Sequence, residues 1–218
     1  MTDEVKPRRA YRSVKRAEQV AQTRRDILAT AGALFREHGY AGVPMPQIAG
    51  ETGVAVETIY RAFGSKAGLF TAVIEAAVAG GAARAEVPVV DRPAIRAIQD
   101  EPNPRRQIDL YAATQPGIHR RAGPLLRALA AAGAGDPELK ELWERIEMGR
   151  LHGQNGFVAM LASRGHLRSG LAVEEGRDGL WTLTSLAVWD LLVTTLGWSA
   201  ERYERWLADR LSDLLLPG

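Results

Sequence analysis

Between residues 53 and 70 the chain reads GVAVETIYRAFGSKAGLF. Within it Glu57, Thr58, Tyr60, Arg61 and Lys66 bring a carboxylate, two hydroxyls, a guanidinium and an ammonium close together. The chemistry on offer is hydrogen bonding to a charged partner. Guanidinium and ammonium groups pair with phosphate oxygens, and hydroxyls reach the same oxygens or base edges. Each of these residues alone also suits an ordinary solvated helix face, with Tyr60 a half-buried core aromatic. The surrounding elements decide between the two.

Little else in the chain is reactive. The four histidines, His38, His119, His152 and His166, are scattered, with no acid and histidine cluster at metal-ligand spacing. There is no G-x-S-x-G and no nucleotide fingerprint. No cysteine is present, so there is neither a disulfide framework nor a thiolate metal site. The reading is of a protein that is not an enzyme and calls for no cofactor and no metal. With no long uncharged apolar run and a basic, polar start, neither a membrane span nor a secretory signal is expected, which gives a cytoplasmic address.

The elements that must position these residues read as helices. Val20, Ile27, Leu28, Ala31, Leu34 and Phe35 recur on one helical stripe that closes at His38-Gly39. Two short helices follow, at 45–51 and 56–62, separated by Thr52-Gly53. Ala49 is small enough for two crossing helices to touch, and Gly53 tolerates the corner between them, which is helix-turn-helix spacing. A buried stripe of Val54, Ile59 and Phe63 leaves Glu57, Thr58, Tyr60 and Arg61 on the outward side, the side that enters the major groove in such a motif. Ser65 caps a longer helix running toward Gly80-Gly81.

Beyond a linker containing VPVV (residues 87–90), polar-Pro pairs at Asn103-Pro104 and Asp136-Pro137 mark helix starts, with Arg92-Pro93 a weaker version and Ser199 a cap without proline. Helices are expected at 93–99, 104–115, 117–132, 137–164, 174–196 and 199–215, with TQPGI (114–118) a break and a hinge. Glycines 149, 153 and 156 read as points of close helix packing rather than a phosphate loop. The fold class is all-α: a three-helix helix-turn-helix domain followed by a larger helical domain.

The formal charge of +2 is unevenly spread over the 218 residues. Residues 1–25 carry eight bases against three acids, a net of +5, which leaves −3 for the remainder. A basic arm on a mildly acidic body suits an N-terminal end that approaches a polyanion, and equally a solubilising tail. The expected organisation is a flexible basic arm at 1–17, the helix-turn-helix domain at 18–80 and the larger domain at 81–218.

The pattern GY…M..IA…GV…TIYR.F.SK..LF, from Gly39 to Phe70, resembles the DNA-binding domain of the TetR (tetracycline-repressor) family of bacterial transcriptional regulators. The resemblance covers about the first third of the chain. It implies a homodimer on a palindromic double-stranded DNA operator, with the second short helix of each copy in the major groove. Carried across, it places Thr58 at a base edge or phosphate, Tyr60 and Lys66 at phosphates, and Val56 and Glu57 against bases, with Arg61 on the same side. Arg8, Arg9, Arg12, Lys15 and Arg16 of the arm would track the backbone or a minor groove. The chain departs from the family pattern at Val43-Pro44 and Pro46, where polar residues are usual, and at Ala55, Ala62 and Ala67.

The larger domain, by the same resemblance, senses an unknown small-molecule effector and dimerises. Tyr111, His119, Trp143, His152, Asn155 and Phe157 are the candidate ligand contacts. The apolar faces of the last two helices, with Leu180, Trp181, Thr184, Val188 and Leu191 on one and Trp206, Leu207, Arg210 and Leu214 on the other, are the candidate four-helix dimer interface; internal core is the other reading of both faces. The function expected is a repressor released from its operator by the effector. The alternatives are an effector-independent or architectural DNA-binding protein and, more remotely, a ligand carrier or enzyme with a basic tail.

Overall fold

The computed structural model describes residues 8–218, with side chains from Lys15 onward. Every regular element among the described residues is helical. The chain divides between Ala76 and Ala77 into two compact units, each with its own core.

The first unit contains α1 (Arg8–His38), α2 (Met45–Thr52), α3 (Val56–Phe63) and most of α4 (Lys66–Ala79). Residues 8–17, expected to belong to a flexible arm, are the first turns of α1. No glycine or proline lies between Arg8 and Ala31, so nothing local stops the helix from running on. Met1 to Pro7 and the side chains of Arg8, Arg9 and Arg12 lie outside the described residues. Ile27, Leu28, Ala31, Leu34 and Phe35 form the buried stripe of α1, and Phe35 and Tyr40 meet Phe70 of α4 edge-on at 5.0 and 5.1 Å. Val20, read as part of that stripe, is 64% exposed and does not belong to it.

The second unit begins within the last turn of α4 and continues through α5 (Ala82–Ala85), a 3-10 turn at Val89–Asp91, α6 (Pro93–Asp100), α7 (Pro104–Gly133), α8 (Pro137–Ser163), α9 (Val173–Leu183), α10 (Leu186–Trp189) and α11 (Ala200–Leu215). A π-helical segment, Asp190–Thr195, carries on directly from α10. The start signals do what their chemistry requires. Asn103 Oδ1 accepts from the N–H of Arg106, Asp136 Oδ1 from Glu138 and Leu139, and Ser199 Oγ from Arg202. Each satisfies an end-group that would otherwise lack a partner. Helices α7, α8, α9 and α11 pack around Ile108, Val158, Leu161, Leu180, Tyr203, Leu207 and Leu211.

Three expectations are corrected here. TQPGI neither breaks nor hinges α7, which runs unbroken through Pro116. An internal proline costs a helix about 3 kcal/mol, yet α7 carries Pro116 buried inside the unit. The helix expected at 174–196 is interrupted at Thr184, and Ser185 starts a new one by accepting from the N–H of Val188. Close packing falls to other glycines than those expected. A Cβ on Gly149, Gly153 or Gly156 would meet nothing within 4 Å, whereas one on Gly176 would lie 3.0 Å from Val158 Cγ1 and 3.1 Å from Leu215 Cδ2. Gly176 is what lets α9 approach α8 and α11.

Candidate nucleic-acid interface

The turn between α2 and α3 is built on Gly53, whose φ of 68° lies in the left-handed region that glycine enters without steric cost. Its N–H closes α2 onto the carbonyls of Ala49 and Gly50, and the N–H of Val54 returns to Ala49 at 3.1 Å. Ala49 is buried at this corner. Ile59, with no exposed surface, anchors α3 from below, and full burial of such a side chain stabilises by roughly 1.5–3 kcal/mol.

With Ile59 held inward, the opposite side of α3 is fixed. Glu57, Tyr60 and Arg61 are exposed, Tyr60 at 46%, while Val56 and Thr58 are half-buried at the rim of the same side. Tyr60 is therefore not a core aromatic. Neither α2 nor α3 has a side-chain cap, since Pro44 and Ala55 stand at the N-cap positions. The N–H of Thr58 turns back to the carbonyl of Ala55 at 2.9 Å, no side chain caps the first turn of α3, and a helix N-terminus favours an anion.

The flanks hold α3 in place. Arg24 of α1 donates from Nη1 to the carbonyl of Ala62 at 2.9 Å and lays its guanidinium 4.2 Å from the Phe63 ring centroid. Its charge is spent on positioning α3, a role the basic count of the sequence does not reveal. Ser65 caps α4 by accepting from the N–H of Gly68 at 3.0 Å. Lys66 follows with its ammonium 4.5 Å over the Tyr40 ring, and partial burial draws its pKa below the usual lysine range. Lys15 and Arg16 are exposed on the early turns of α1.

Residues 27–73 match the sequence model of the bacterial regulatory proteins of the tetR family. The N-terminal unit is a TetR-family DNA-binding domain. Regulators with a domain of this type are DNA-binding transcriptional regulators. Solved TetR-type structures resemble the chain along most of its length. A protein of Mesorhizobium loti MAFF303099 assigned to this family of transcriptional regulators shares 19% identity, over 89% of this chain and 96% of that one, with a TM-score of 0.65. The regulator FadR from Bacillus subtilis, in complex with stearoyl-CoA, shares 17% identity over 85% and 96%, with a TM-score of 0.64. A protein of Saccharomonospora viridis described as a transcriptional regulator, in complex with choline, shares 20% identity over 90% and 99%, with a TM-score of 0.62. At these identities the likeness is one of fold, and it extends the TetR architecture into the second unit. No curated protein matches the chain in sequence.

Within the second unit the structure brings together part of the expected ligand set. Tyr111 stacks on Phe157 with centroids 4.6 Å apart. His119 stacks on Trp189 at 5.0 Å, with Nε2 3.4 Å from the Tyr203 hydroxyl. Burial lowers the His119 pKa to about 4, with the Arg150 charge adding to the effect, so the ring is neutral at pH 7. Asn155 and Trp143 are half-buried. His152 is exposed on the outer face of α8 and does not join the interior group.

The polar interior residues missed by the sequence reading are Arg150 and Gln154, together with the aromatics Trp189 and Tyr203, while Thr184, expected at a dimer interface, joins them. A signal for two of them was present: Gln154, buried, and Arg150, half-buried, continue the inward stripe of Leu139, Leu142, Val158 and Leu161 at helical spacing. Of the expected dimer residues, Leu180, Thr184 and Leu207 are buried in the core of the chain itself and are unavailable to a partner. Trp181, Val188, Trp206 and Leu214 are half-buried, Arg210 is exposed, and Leu191 is 61% exposed.

Proposed function

We propose that this chain is a homodimeric repressor that binds a palindromic operator and releases it when a small molecule occupies the interior of the second unit. The observation that carries the DNA-binding half is the outward row Glu57, Tyr60 and Arg61 on a helix held from below by Ile59 and from the side by Arg24. In that arrangement Glu57 and Val56 read bases, Tyr60 and Lys66 hold phosphates, and Thr58 contacts whichever lies nearest the rim. Lys15 and Arg16, with Arg8, Arg9 and Arg12, add phosphate contacts from the early turns of α1, compensating for the caps that Pro44 and Ala55 do not supply.

Release requires the effector to favour a state that DNA does not, since a ligand shifts an equilibrium only by its differential affinity for two states. The interior polar cluster of the second unit is where such a ligand would act, and two proteins of like fold were solved with small molecules bound. The exposed apolar Leu191, with Trp181, Val188, Trp206 and Leu214, is the surface offered to a second copy.

Selection of bound duplexes from a random pool by the full chain tests the reading. Enrichment of an inverted repeat with half-sites about one helical turn apart, roughly 10 base pairs, is the expected result. Enrichment without symmetry would favour an architectural binder, and no enrichment would remove the operator altogether.

A further inference from the structure

The interior of the second unit holds a hydrogen-bonding cluster whose accounts do not balance. On Thr184 every valence is used: its hydroxyl donates to the carbonyl of Leu180 at 2.7 Å and accepts from Gln154 Nε2 at 2.7 Å and Arg150 Nη1 at 3.3 Å. Gln154 is 5% exposed, and its Oε1 has no donor within hydrogen-bonding geometry, the neighbouring Tyr111 hydroxyl included. A buried acceptor without a donor is costly, and its persistence calls for an explanation. Tyr111 supplies one. Burial raises its phenol above the usual range, with Gln154 and Thr184 beside it, and the residue is half-buried rather than fully enclosed. Its face is stacked on Phe157.

The charges around this cluster are already paired. Arg150 binds Glu147 through Nε at 3.2 Å and Nη2 at 2.7 Å, and also donates to the carbonyl of Trp181 at 2.8 Å. Asp190, the acid nearest His119, is held by Arg127 through Nε at 2.9 Å and Nη2 at 2.9 Å. An anion entering here meets only an arginine that is spoken for, and a cation meets no unengaged carboxylate. Burying either without a partner is unfavourable.

From this arrangement we infer that the cluster binds an uncharged aromatic molecule bearing an amide N–H or hydroxyl donor, the donor meeting Gln154 Oε1 and the ring extending the Tyr111–Phe157 stack. The inference rests on the reading of the second unit as the effector-binding part.

The test titrates the full chain, by calorimetry, with four probes: acetanilide, N-methylacetanilide, benzoate and benzyltrimethylammonium. Acetanilide should bind at least tenfold more tightly than the other three. Gln154→Met, which keeps the length of the side chain and removes the acceptor, should abolish the preference for acetanilide over N-methylacetanilide without weakening the latter. A thermal melt checks that this variant folds, and if it does not, the ranking with the unaltered chain decides. Binding of benzoate or the ammonium as tight as that of acetanilide, no advantage over N-methylacetanilide, or no binding by any of the four overturns the inference. Operator affinity measured alongside separates the two readings. Binding of acetanilide with unchanged operator affinity would leave this site standing and remove effector release. Release by a charged compound, with these four showing none of the expected order, would do the reverse.

Discussion

Two residues carry most of what can be tested one side chain at a time. Glu57 stands exposed on the outward side of α3, so Glu57→Ala should relax preference at one operator position by about 1–3 kcal/mol while leaving the non-specific affinity in place. Competition between the selected operator and single-base variants measures it. His119 makes a prediction of a different kind. Its folded pKa of about 4 lies below the ordinary histidine value of 6.5, so the unfolded chain takes up a proton before the folded one does. The stability linked to this group is therefore complete above pH 6.5 and lost as the pH falls toward 4, about 3 kcal/mol in all. His119→Gln should flatten the acid limb of the melting temperature against pH over that window. At this scale the buried and exposed sides of α3 were legible, because the alternation of Ile59 with Glu57, Tyr60 and Arg61 is set by eight consecutive residues of one helix. Arg24 was not, because its partner Ala62 is 38 positions away and nothing near Arg24 announces it.

Among the elements, cap chemistry is local and was readable in advance. Ser65, Asn103, Asp136 and Ser199 each accept the first-turn N–H that their position demands. Ala55 breaks the rule at the head of α3, and Ala55→Ser should raise the stability of the first unit by about 1 kcal/mol in denaturant unfolding. The interruptions inside helices were not readable. Pro116 reads as a break yet sits within α7, and Thr184-Ser185 reads as continuous yet ends α9. In both places long-range packing outweighs local preference: Pro116 is buried, and the Thr184 hydroxyl is engaged by Arg150 and Gln154 from another helix. The interior polar cluster was hidden for the same reason, since its members come from α7, α8 and α9.

For the whole molecule, affinity for DNA in the proposed dimer would be set by how many phosphates it neutralises. With about four per protomer and eight in all, log K should fall against log salt with a slope near −7. Removal of residues 1–16 should make that slope shallower, and an unchanged slope would exclude the early turns of α1 from the contact. The central claim is narrower: two copies of α3 lie in successive major grooves with the Glu57–Arg61 side inward. The absence of cysteine allows it to be tested at one atom. Ala62 is exposed beside that side, so Ala62→Cys accepts a single phenanthroline–copper group without touching Glu57, Tyr60 or Arg61. On the selected operator the labelled chain should cut in two clusters about 10 base pairs apart, related by the symmetry of the site. A single cluster, or cutting spread evenly along the duplex, would contradict the account.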